Sequence, residues 1–395
     1  MLQAFRAFLK LLKLTLFHSK GTHARFTARR FRVMAVFLPI LFLGQLIHWV
    51  GFLLDEIFFH GYRKVAINDP VFIVGIPRSG TTLLHRVMAR DTERFTSFTL
   101  WEMLIAPSIT ERTFWMLIGR IDQVCGGFGR RLLVTLDRRI FRRLSAIHKM
   151  SLFDYDEDDM VLTPVFASVY LFFPFPFREE LWWLIRFDED TPHADKERIM
   201  RFYRACVQRH LYFHGPGKRF LSKNPAFSSK VDAIRRHFPD ARVVCNMRSP
   251  YETIPSLLSA LYVAWDMFDN DLKGDAFRDC VLELAGHWYR HPINRARDWP
   301  EDHFAFVNYD ELRHDLKGTV TGLYARFGIE IGPALLEHLG KEHEKARAYN
   351  SNHQYSMEQF GLTQQLILDD FSDIFQCFGF GTERACAAEP EKRRA

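Results

Sequence analysis

The segment Val71–Asp91 constrains the fold more than any other part of the chain. Residues 71–74 are branched or aromatic and predict a buried strand, and the residues after the Gly75–Gly80 loop have the apolar spacing of a helix. The G-x-x-x-x-G spacing between a strand and a helix is that of a phosphate-binding P-loop. Thr81 occupies the position of the usual P-loop lysine, whereas Arg78 places a positive charge inside the loop. The segment therefore predicts an anion-binding loop that lacks the residue reaching the terminal phosphates of ATP.

A second segment, residues 219–262, predicts strand, helix, strand and helix in succession. This order implies a parallel sheet with right-handed crossovers. The first strand ends at Lys223 and the second at Arg248, with Ser256 on the helix that follows. Ligands of parallel sheets bind at the carboxyl ends of the strands. We therefore expect the P-loop and these residues to converge on one polyanion, although each cation alone is also compatible with an ordinary surface charge.

An apolar arm precedes these motifs. Val33–Leu54 contains no Asp, Glu, Lys or Arg and is long enough to cross a bilayer core. Residues 2–17 combine leucines and lysines at roughly helical spacing, as in an interfacial amphipathic helix. Three interpretations stay open: a single span with basic residues on its cytoplasmic side, a helix pair lying in one leaflet, and a buried helix of the globular domain.

The net charge and the cysteine pattern restrict the class of ligand and the redox compartment that fit this chain. The net charge of +6 fits an anionic ligand or an anionic membrane surface. A nucleic-acid partner is not expected, because the chain has no zinc-finger spacing and no basic stripe interleaved with aromatics. The six cysteines are spread out without a C-x-x-C pair, which favours a reducing compartment.

The motifs resemble those of the sulfotransferase family, whose members transfer a sulfuryl group from 3′-phosphoadenosine 5′-phosphosulfate (PAPS). The family's P-R-S-G-T-T signature is similar to Pro77–Thr82. Its second signature, an arginine that closes a strand with a serine some eight residues later, is similar to Arg248 and Ser256. Its K-S-P element resembles Lys223–Pro225, with Asn224 in place of serine.

Two further elements extend the resemblance towards the C-terminus. An F-x-x-x-x-Y-E-D-L element resembles Phe304–Leu312, with the acidic pair reversed as Asp310-Glu311, and an H-x-Y-S-x-E-x-F-G-L element matches His353–Leu362. The elements occur in the family's order from residue 71 to about 362. The resemblance implies an α/β fold with a P-loop sulfotransferase-like parallel sheet flanked by helices, preceded by an N-terminal hydrophobic helical arm. The expected boundaries are 1–65 for the arm, 66–380 for the sulfotransferase domain and 381–395 for a disordered charged tail.

The resemblance also implies a PAPS site. Amides of the loop and the following helix would hold the 5′-phosphate, while Arg248 and Ser256 would hold the 3′-phosphate. No metal is expected, because a sulfuryl group carries less charge than a phosphoryl group. The donor-binding residues implied are Pro77, Arg78, Ser79, Gly80, Thr81, Thr82, Lys223, Arg248, Ser256, Tyr309, His353 and Tyr355.

Catalysis requires stabilisation of the leaving oxygen, for which Arg78 and Lys223 are candidates, and a base for the acceptor. Glu102 and His148 are the candidate bases, since members of the family carry similar residues at these places. An N-cap or salt bridge is the alternative for Glu102, and a surface or core histidine is the alternative for His148.

The predicted enzyme moves a sulfuryl group to a hydroxyl or amine of a small-molecule, lipid or glycan acceptor. Residues 99–212 are rich in Phe and Trp and predict an apolar acceptor pocket, or else a plain helical core. The alternatives are a P-loop kinase or NTPase, and a non-catalytic, membrane-tethered protein that binds PAPS or its product. We expect membrane association with the catalytic domain on the cytoplasmic side, or a single-pass Golgi-type arrangement; the oligomeric state is left open.

Overall fold

The computed structural model describes residues 2–141, 151–272, 275–348 and 360–381. Five parallel strands form its sheet: β1 (Val71–Gly75), β2 (Phe95–Thr96), β3 (Arg219–Lys223), β4 (Arg242–Met247) and β5 (Phe304–Asn308). Their spatial order is β2-β3-β1-β4-β5. The predicted parallel sheet is thus confirmed, and β1 lies at its centre.

The register of the strands positions the site. Ile73 of β1 lies beside Lys223 of β3, and Gly75 lies beside Asn246 of β4. Because β1 is flanked by β3 and β4, the loop that follows β1 emerges between the carboxyl ends of its two neighbours.

Helices cover the sheet on both sides. Their bounds are α1 (Leu2–Phe17), α2 (Ala28–Phe58), α3 (Thr81–Met88), α4 (Leu100–Leu104), α5 (Ile109–Val124), α6 (Phe128–Phe141), α7 (Arg178–Leu181), α8 (Phe187–Asp190), α9 (His193–His214), α10 (Val231–His237), α11 (Pro250–Met267), α12 (Ala276–Ala296), α13 (Tyr309–His314), α14 (Leu316–Arg326), α15 (Pro333–Ala348) and α16 (Gln364–Phe378). Short 3-10 segments join several of them. One of these, Pro225–Lys230, lies directly before α10, which begins at Val231.

The core lies on the two faces of the sheet. One cluster joins β1 to α9, α11 and α12 through buried residues such as Phe72, Tyr203 and Trp288. A smaller cluster packs α3 and α14 on the opposite face. The large cluster also takes in Phe8 and Met34 of the N-terminal arm. The arm therefore packs on the α/β domain through part of its surface.

Polar contacts hold the arm as well. Arg30 is buried and donates to the carbonyls of Pro174 and Phe268, at 2.8 and 2.9 Å. Asp55 near the end of α2 is fully buried and accepts from Arg209 at 2.9 Å. A charge buried without a partner is costly, so these pairs fix the arm in one position on the domain.

Candidate active site

The P-loop joins the end of β1 to the start of α3, in the strand–loop–helix order that its sequence predicts. Gly75 and Gly80 have φ values of +119° and +85°, and Arg78 has φ +74°. A Cβ on Gly75 would lie 2.2 Å from the carbonyl oxygen of Asn246, so only glycine fits beside β4 there. The loop is therefore fixed against the sheet at its first residue.

Tyr309 packs against the other end of the loop. A Cβ on Gly80 would lie 2.5 Å from Cδ2 of the Tyr309 ring. The Arg248 guanidinium lies 4.2 Å from the centre of the same ring, within the range of a cation–π contact. Gly80, Tyr309 and Arg248 thus form one stack, although they come from three different motifs.

Arg78, Arg248 and Ser256 lie in direct contact. Arg78 donates from Nε to Ser256 Oγ at 2.9 Å, and Arg248 donates from Nη1 to the carbonyl of Arg78 at 2.9 Å. Glu252 accepts from Nε of Arg248 at 2.8 Å and balances part of its charge. The structure therefore brings together the residues for which the sequence predicts 5′-phosphate and 3′-phosphate roles.

This arrangement suits a nucleotide that carries two separate phosphate groups. Helix α3 begins at Thr81, and its N-cap residue Gly80 has no side chain that could accept from the first amides. Such amides and the helix dipole attract a phosphate group. The two guanidiniums beside them add positive charge. The residues present therefore fit the 5′- and 3′-phosphates of PAPS.

Lys223 is buried at the end of β3, with 1% of its side chain exposed. Its Nζ lies 3.2 Å from Glu157 and 3.4 Å from Asp156. Burial opposes the charged form, but these two carboxylates raise the pKa of Lys223 above its ordinary value. The lysine is therefore a buried ammonium held by two acids, rather than an ordinary surface charge.

A cavity of 380 Å³ adjoins the loop. Pro77 and Arg78 line one part of it, and Asp156 and Glu157 line another. The remaining walls are largely apolar and include Phe172, Phe173, Trp182, Leu257, Leu261, Trp265, Phe277, Val281 and Trp288. About half of these walls come from α11 and α12. Residues 99–212, which the sequence predicts to form an acceptor pocket, thus supply only part of this cavity, and the share from α11 and α12 was not predicted.

The sequence profile of the sulfotransferase family matches residues 70–333. The chain belongs to the sulfotransferase family. The match includes the P-loop, the acidic run Asp156–Asp159 and all five strands. The predicted family and enzyme class are confirmed, and the NTPase and non-catalytic alternatives are not favoured.

Curated relatives of this sulfotransferase include the omega-hydroxy-beta-dihydromenaquinone-9 sulfotransferase Stf3 of Mycobacterium bovis and its counterpart in Mycobacterium tuberculosis. Each is 27% identical over 327 residues, which cover 80% of this chain and 77% of the relative. Among solved structures, STF9 from Mycobacterium avium superposes with a TM-score of 0.70 at 16% identity, covering 94% of this chain and 91% of STF9. STF1 from Mycobacterium tuberculosis gives 0.65 at 18% identity, covering 94% and 92%. At this identity the two structures establish the fold alone.

Glu102 of this sulfotransferase lies in a buried polar cluster. It accepts from the amide and hydroxyl of Thr99 at the start of α4, and His214 Nε2 lies 2.5 Å from its other oxygen. Burial alone would raise its pKa, but Arg112, His210 and His214 hold the pKa of Glu102 well below its usual range. Glu102 is absent from the cavity lining among the described residues. These contacts match the cap and salt-bridge alternative, while its role as a base stays a prediction.

Three candidate residues have no described position. His148, His353 and Tyr355 lie outside the described ranges. The expected charged tail, 381–395, lies outside them as well except for Gly381. Their predicted roles and structure stay predictions.

The acidic run Asp156–Asp159 supplies buried counter-charges that were not predicted from the sequence. Besides the two acids that hold Lys223, Asp159 lies 3.5 Å from the buried Lys230. Asp158 accepts from Tyr203 at 2.5 Å and from Ser222 at 3.0 Å. Burial raises the pKa of Asp158 to about 7, although these hydroxyl donors oppose the shift. Four consecutive acids could have signalled a set of buried counter-charges, but the sequence does not show which lysines they meet.

Three groups of described side chains have ligand spacing for a metal, with ligand atoms within 4.8 Å in each group. Glu102 lies near His210 and His214, Glu189 lies near His287 and His291, and Asp188 lies near Asp232 and His291. The second pair of histidines is expected from sequence to be structural, because no acid lies between them along the chain. The structure supplies Glu189 from another helix. Each glutamate is also paired with an arginine, Arg112 or Arg186, and a nearby guanidinium opposes the binding of a cation.

Proposed function

We propose that this sulfotransferase transfers a sulfuryl group from PAPS to the hydroxyl of a long, apolar acceptor bound in the cavity. One observation carries the proposal: Arg78 belongs to the phosphate-binding loop and also lines the apolar cavity. A group held by the loop and a group held in the cavity would therefore meet at Arg78. Such an arrangement brings donor and acceptor together, which is the main requirement of an in-line group transfer.

The donor would be bound by two half-sites. The α3 amides and Arg78 would hold the 5′-phosphosulfate end, while Arg248 and Ser256 would hold the 3′-phosphate. Bound PAPS supplies the sulfuryl group that the acceptor receives. The Arg78–Ser256 hydrogen bond places both half-sites side by side. Tyr309, packed between Gly80 and Arg248, would fix their separation.

Glu157 is the described residue best placed to take the acceptor proton. It lines the cavity, and 23% of its side chain is exposed. It also accepts from Tyr170 at 2.6 Å and from Lys223 at 3.2 Å, which orient the carboxylate. Asp156 lines the same wall but is almost fully buried. Glu102 and His148 remain the candidate bases from sequence. The transfer rates of variants at these positions distinguish them from Glu157.

Lys223 would act together with Glu157. When the carboxylate accepts a proton, the ammonium loses part of its counter-charge. Lys223 is then available to stabilise negative charge that develops on the departing phosphate oxygen, as preorganised cations do in group transfer. This assignment accounts for a buried lysine at the strand end next to the P-loop.

The apolar walls favour a lipid-like acceptor over a glycan. The relatives named above carry a menaquinone derivative in their names, and the cavity here is lined by aromatic and aliphatic side chains. A hydrocarbon chain would bury its surface against these walls, with about 25 cal/mol gained for each square ångström removed from water. The acceptor hydroxyl would then point towards Arg78 and Glu157.

We propose in addition that the protein associates with a membrane and keeps its catalytic domain on the cytoplasmic side. Helix α2 is long and apolar enough to cross a membrane by composition. An enzyme that takes a lipid-like acceptor benefits from contact with the bilayer that holds it. PAPS is made in the cytosol, which favours the cytoplasmic face for the catalytic domain.

The first experiment is isothermal titration of the full chain with 3′,5′-adenosine diphosphate and with 5′-adenosine monophosphate. A strong preference for the diphosphate supports the Arg248–Ser256 half-site, and equal affinities contradict it. Transfer of labelled sulfate from PAPS to long-chain alcohols, compared with short-chain alcohols and sugars, then tests the acceptor class. Faster transfer to sugars would contradict the apolar acceptor.

A further inference from the structure

Helices α5 and α6 form a hairpin that presents apolar side chains to solvent. Residues 113–121 of α5 are all exposed, although five of the six residues from Phe114 to Gly119 are large and apolar or aromatic. Val124 at the end of α5 is 89% exposed, and Phe128 at the start of α6 is 73% exposed. Leu132, Leu133 and Leu136 continue the apolar surface along α6. Soluble domains rarely expose so large a contiguous apolar surface without a partner.

Helix α2 carries a second exposed apolar stripe. Its large exposed apolar residues lie three or four residues from one another, which places them on one face of a helix. Between residues 36 and 57 they are Val36, Ile40, Leu43, Leu46, Ile47, Val50, Leu53 and Ile57. The stripe is more than 30 Å long by roughly 1.5 Å per residue.

A different face of α2 is bound to α5. His48 Nδ1 lies 2.7 Å from Glu111, and Asp55 accepts from the amides of Ile109 and Thr110 at 3.0 and 2.8 Å. A Cβ on Gly51 would lie 2.4 Å from Ser108 Oγ, so the two helices are in close contact. His48 and Asp55 of α2 are therefore bonded to α5 inside the protein. The stripe and the hairpin lie on helices that pack directly against each other.

The charges of the hairpin identify the partner. Residues 113–141 contain five arginines and two aspartates. Both aspartates are engaged within the protein, because Asp122 accepts from the amides at the start of α6 and Asp137 accepts from Ser151 and Leu152. The exposed arginines are Arg120, Arg130, Arg131, Arg138 and Arg139. A helix that combines exposed leucines with exposed arginines is typical of binding at an anionic bilayer surface.

We propose that the α5–α6 hairpin and the stripe of α2 form one docking surface that inserts into the interfacial layer of an anionic lipid bilayer. The apolar side chains enter the boundary between headgroups and acyl chains, and the arginines contact the lipid phosphates. In this arrangement α2 lies in the plane of the interface, because its polar side remains bound to α5. The inference deepens the membrane association proposed above by naming the surface and the lipid charge, and it does not depend on the transfer reaction.

The test is flotation of the full chain with vesicles of phosphatidylcholine, with and without phosphatidylglycerol. We expect the wild type to float with the anionic vesicles. Leu117→Ser with Phe128→Ser, and separately Arg130→Gln with Arg138→Gln, should each lower partitioning roughly tenfold or more. All four positions are exposed, so the melting temperature should not change. Arg297→Gln with Arg326→Gln removes the same charge elsewhere on the surface and should float as the wild type does.

Cys125 provides a second readout at the tip of the hairpin. Cys125 is exposed, so a thiol reagent can reach it. Cys280 should react much less, because burial raises the pKa of its thiol to about 11. With Cys377→Ser and Cys386→Ser, a polarity-sensitive maleimide on Cys125 should shift to the blue on anionic vesicles. The same label on Cys377, with Cys125→Ser and Cys386→Ser, should not shift.

The outcomes distinguish binding through the docking surface from membrane association in general. If the wild type floats but both hairpin variants float equally well and the Cys125 label stays in water, α2 alone carries binding and the docking surface is wrong. If the wild type does not float, membrane association is wrong as well. A dimer in solution that Leu117→Ser with Phe128→Ser dissociates, without vesicle binding, would assign the surface to a second copy of the chain. Nucleotide titration tests the enzyme function independently of all three outcomes.

Discussion

Arg78 donates a hydrogen bond from Nε to Ser256 Oγ over 2.9 Å, although 178 residues separate the two in sequence. The contact joins the P-loop after β1 to helix α11 after β4. The carbonyl of Arg78 accepts from Arg248 in turn. The loop and the proposed 3′-phosphate site are therefore one structural unit, so a change in either should affect the binding of a nucleotide that carries both phosphates.

Arg248→Ala should weaken the binding of 3′,5′-adenosine diphosphate by roughly 1.5–3 kcal/mol, the range for a hydrogen bond to a charged group. Binding of 5′-adenosine monophosphate should weaken much less, because that ligand has no 3′-phosphate. Isothermal titration with both nucleotides measures the difference. Arg297→Ala, at an exposed position, is the matched control. An unchanged affinity for the diphosphate would remove Arg248 from the site.

Gly80→Ala should lower both nucleotide affinity and stability. The residue has φ +85°, and a Cβ would lie 2.5 Å from the Tyr309 ring. Left-handed backbone at a residue other than glycine costs of order 1 kcal/mol, and displacement of the ring would add to this. Gly217→Ala is the control, since a Cβ there meets no atom within 4 Å. Thermal melting and titration measure the two effects, and equal behaviour of the two variants would show that the Gly80–Tyr309 contact is unimportant.

Glu157→Gln should lower kcat by roughly 10²–10⁴-fold, the usual contribution of a general base, while nucleotide binding stays close to that of the wild type. Glu102→Gln is the informative comparison. Glu102 is buried among Arg112, His210 and His214, so its neutralisation should lower the melting temperature first. A rate of transfer from PAPS that survives Glu157→Gln but not Glu102→Gln, in folded protein, would return the base to Glu102.

The sequence predicts the parts of this site that depend on local pattern. The P-loop follows from glycine spacing after an apolar run, and Lys223 and Arg248 follow from their positions at strand ends. The parallel sheet then brings these strand ends together, since β1 lies between β3 and β4. Local pattern and simple topology were therefore sufficient to place the loop, Lys223 and Arg248 at one edge of the sheet.

Contacts between residues distant in sequence were not predictable in the same way. Lys223 meets Asp156 and Glu157 across more than 60 residues of sequence, and neither partner has a periodic signal. The cavity wall from α11 and α12 was missed for the same reason, because apolar residues on a helix do not reveal what they face. The α5–α6 hairpin lies within residues 99–212, which the sequence predicts to form the acceptor pocket, yet its apolar side chains are exposed. The sequence alone does not show whether an apolar residue on a helix is exposed or buried.

Asp158 should make the stability of the protein depend on pH. Its pKa is about 7 in the folded protein, because burial opposes ionisation, and about 3.9 in an unfolded chain. Between about pH 4 and pH 7, Asp158 is therefore protonated more often in the folded protein than in the unfolded chain. The stability contributed by protonated Asp158 is therefore present in full below about pH 4 and is lost as pH rises through about 7.

The variant Asp158→Asn isolates this effect, because an amide side chain does not titrate. The substitution keeps an oxygen that accepts from Tyr203 and a neutral side chain beside Ser222. We expect the wild type to lose stability relative to the variant between about pH 4 and 7, by an amount on the order of a few kcal/mol. Urea unfolding at several pH values measures this difference, with Asp302→Asn at an exposed position as the control. A difference that stays constant, or that grows in favour of the wild type as pH rises, would show that Asp158 is ionised in the folded protein and that Lys223 and Lys230 balance its buried charge.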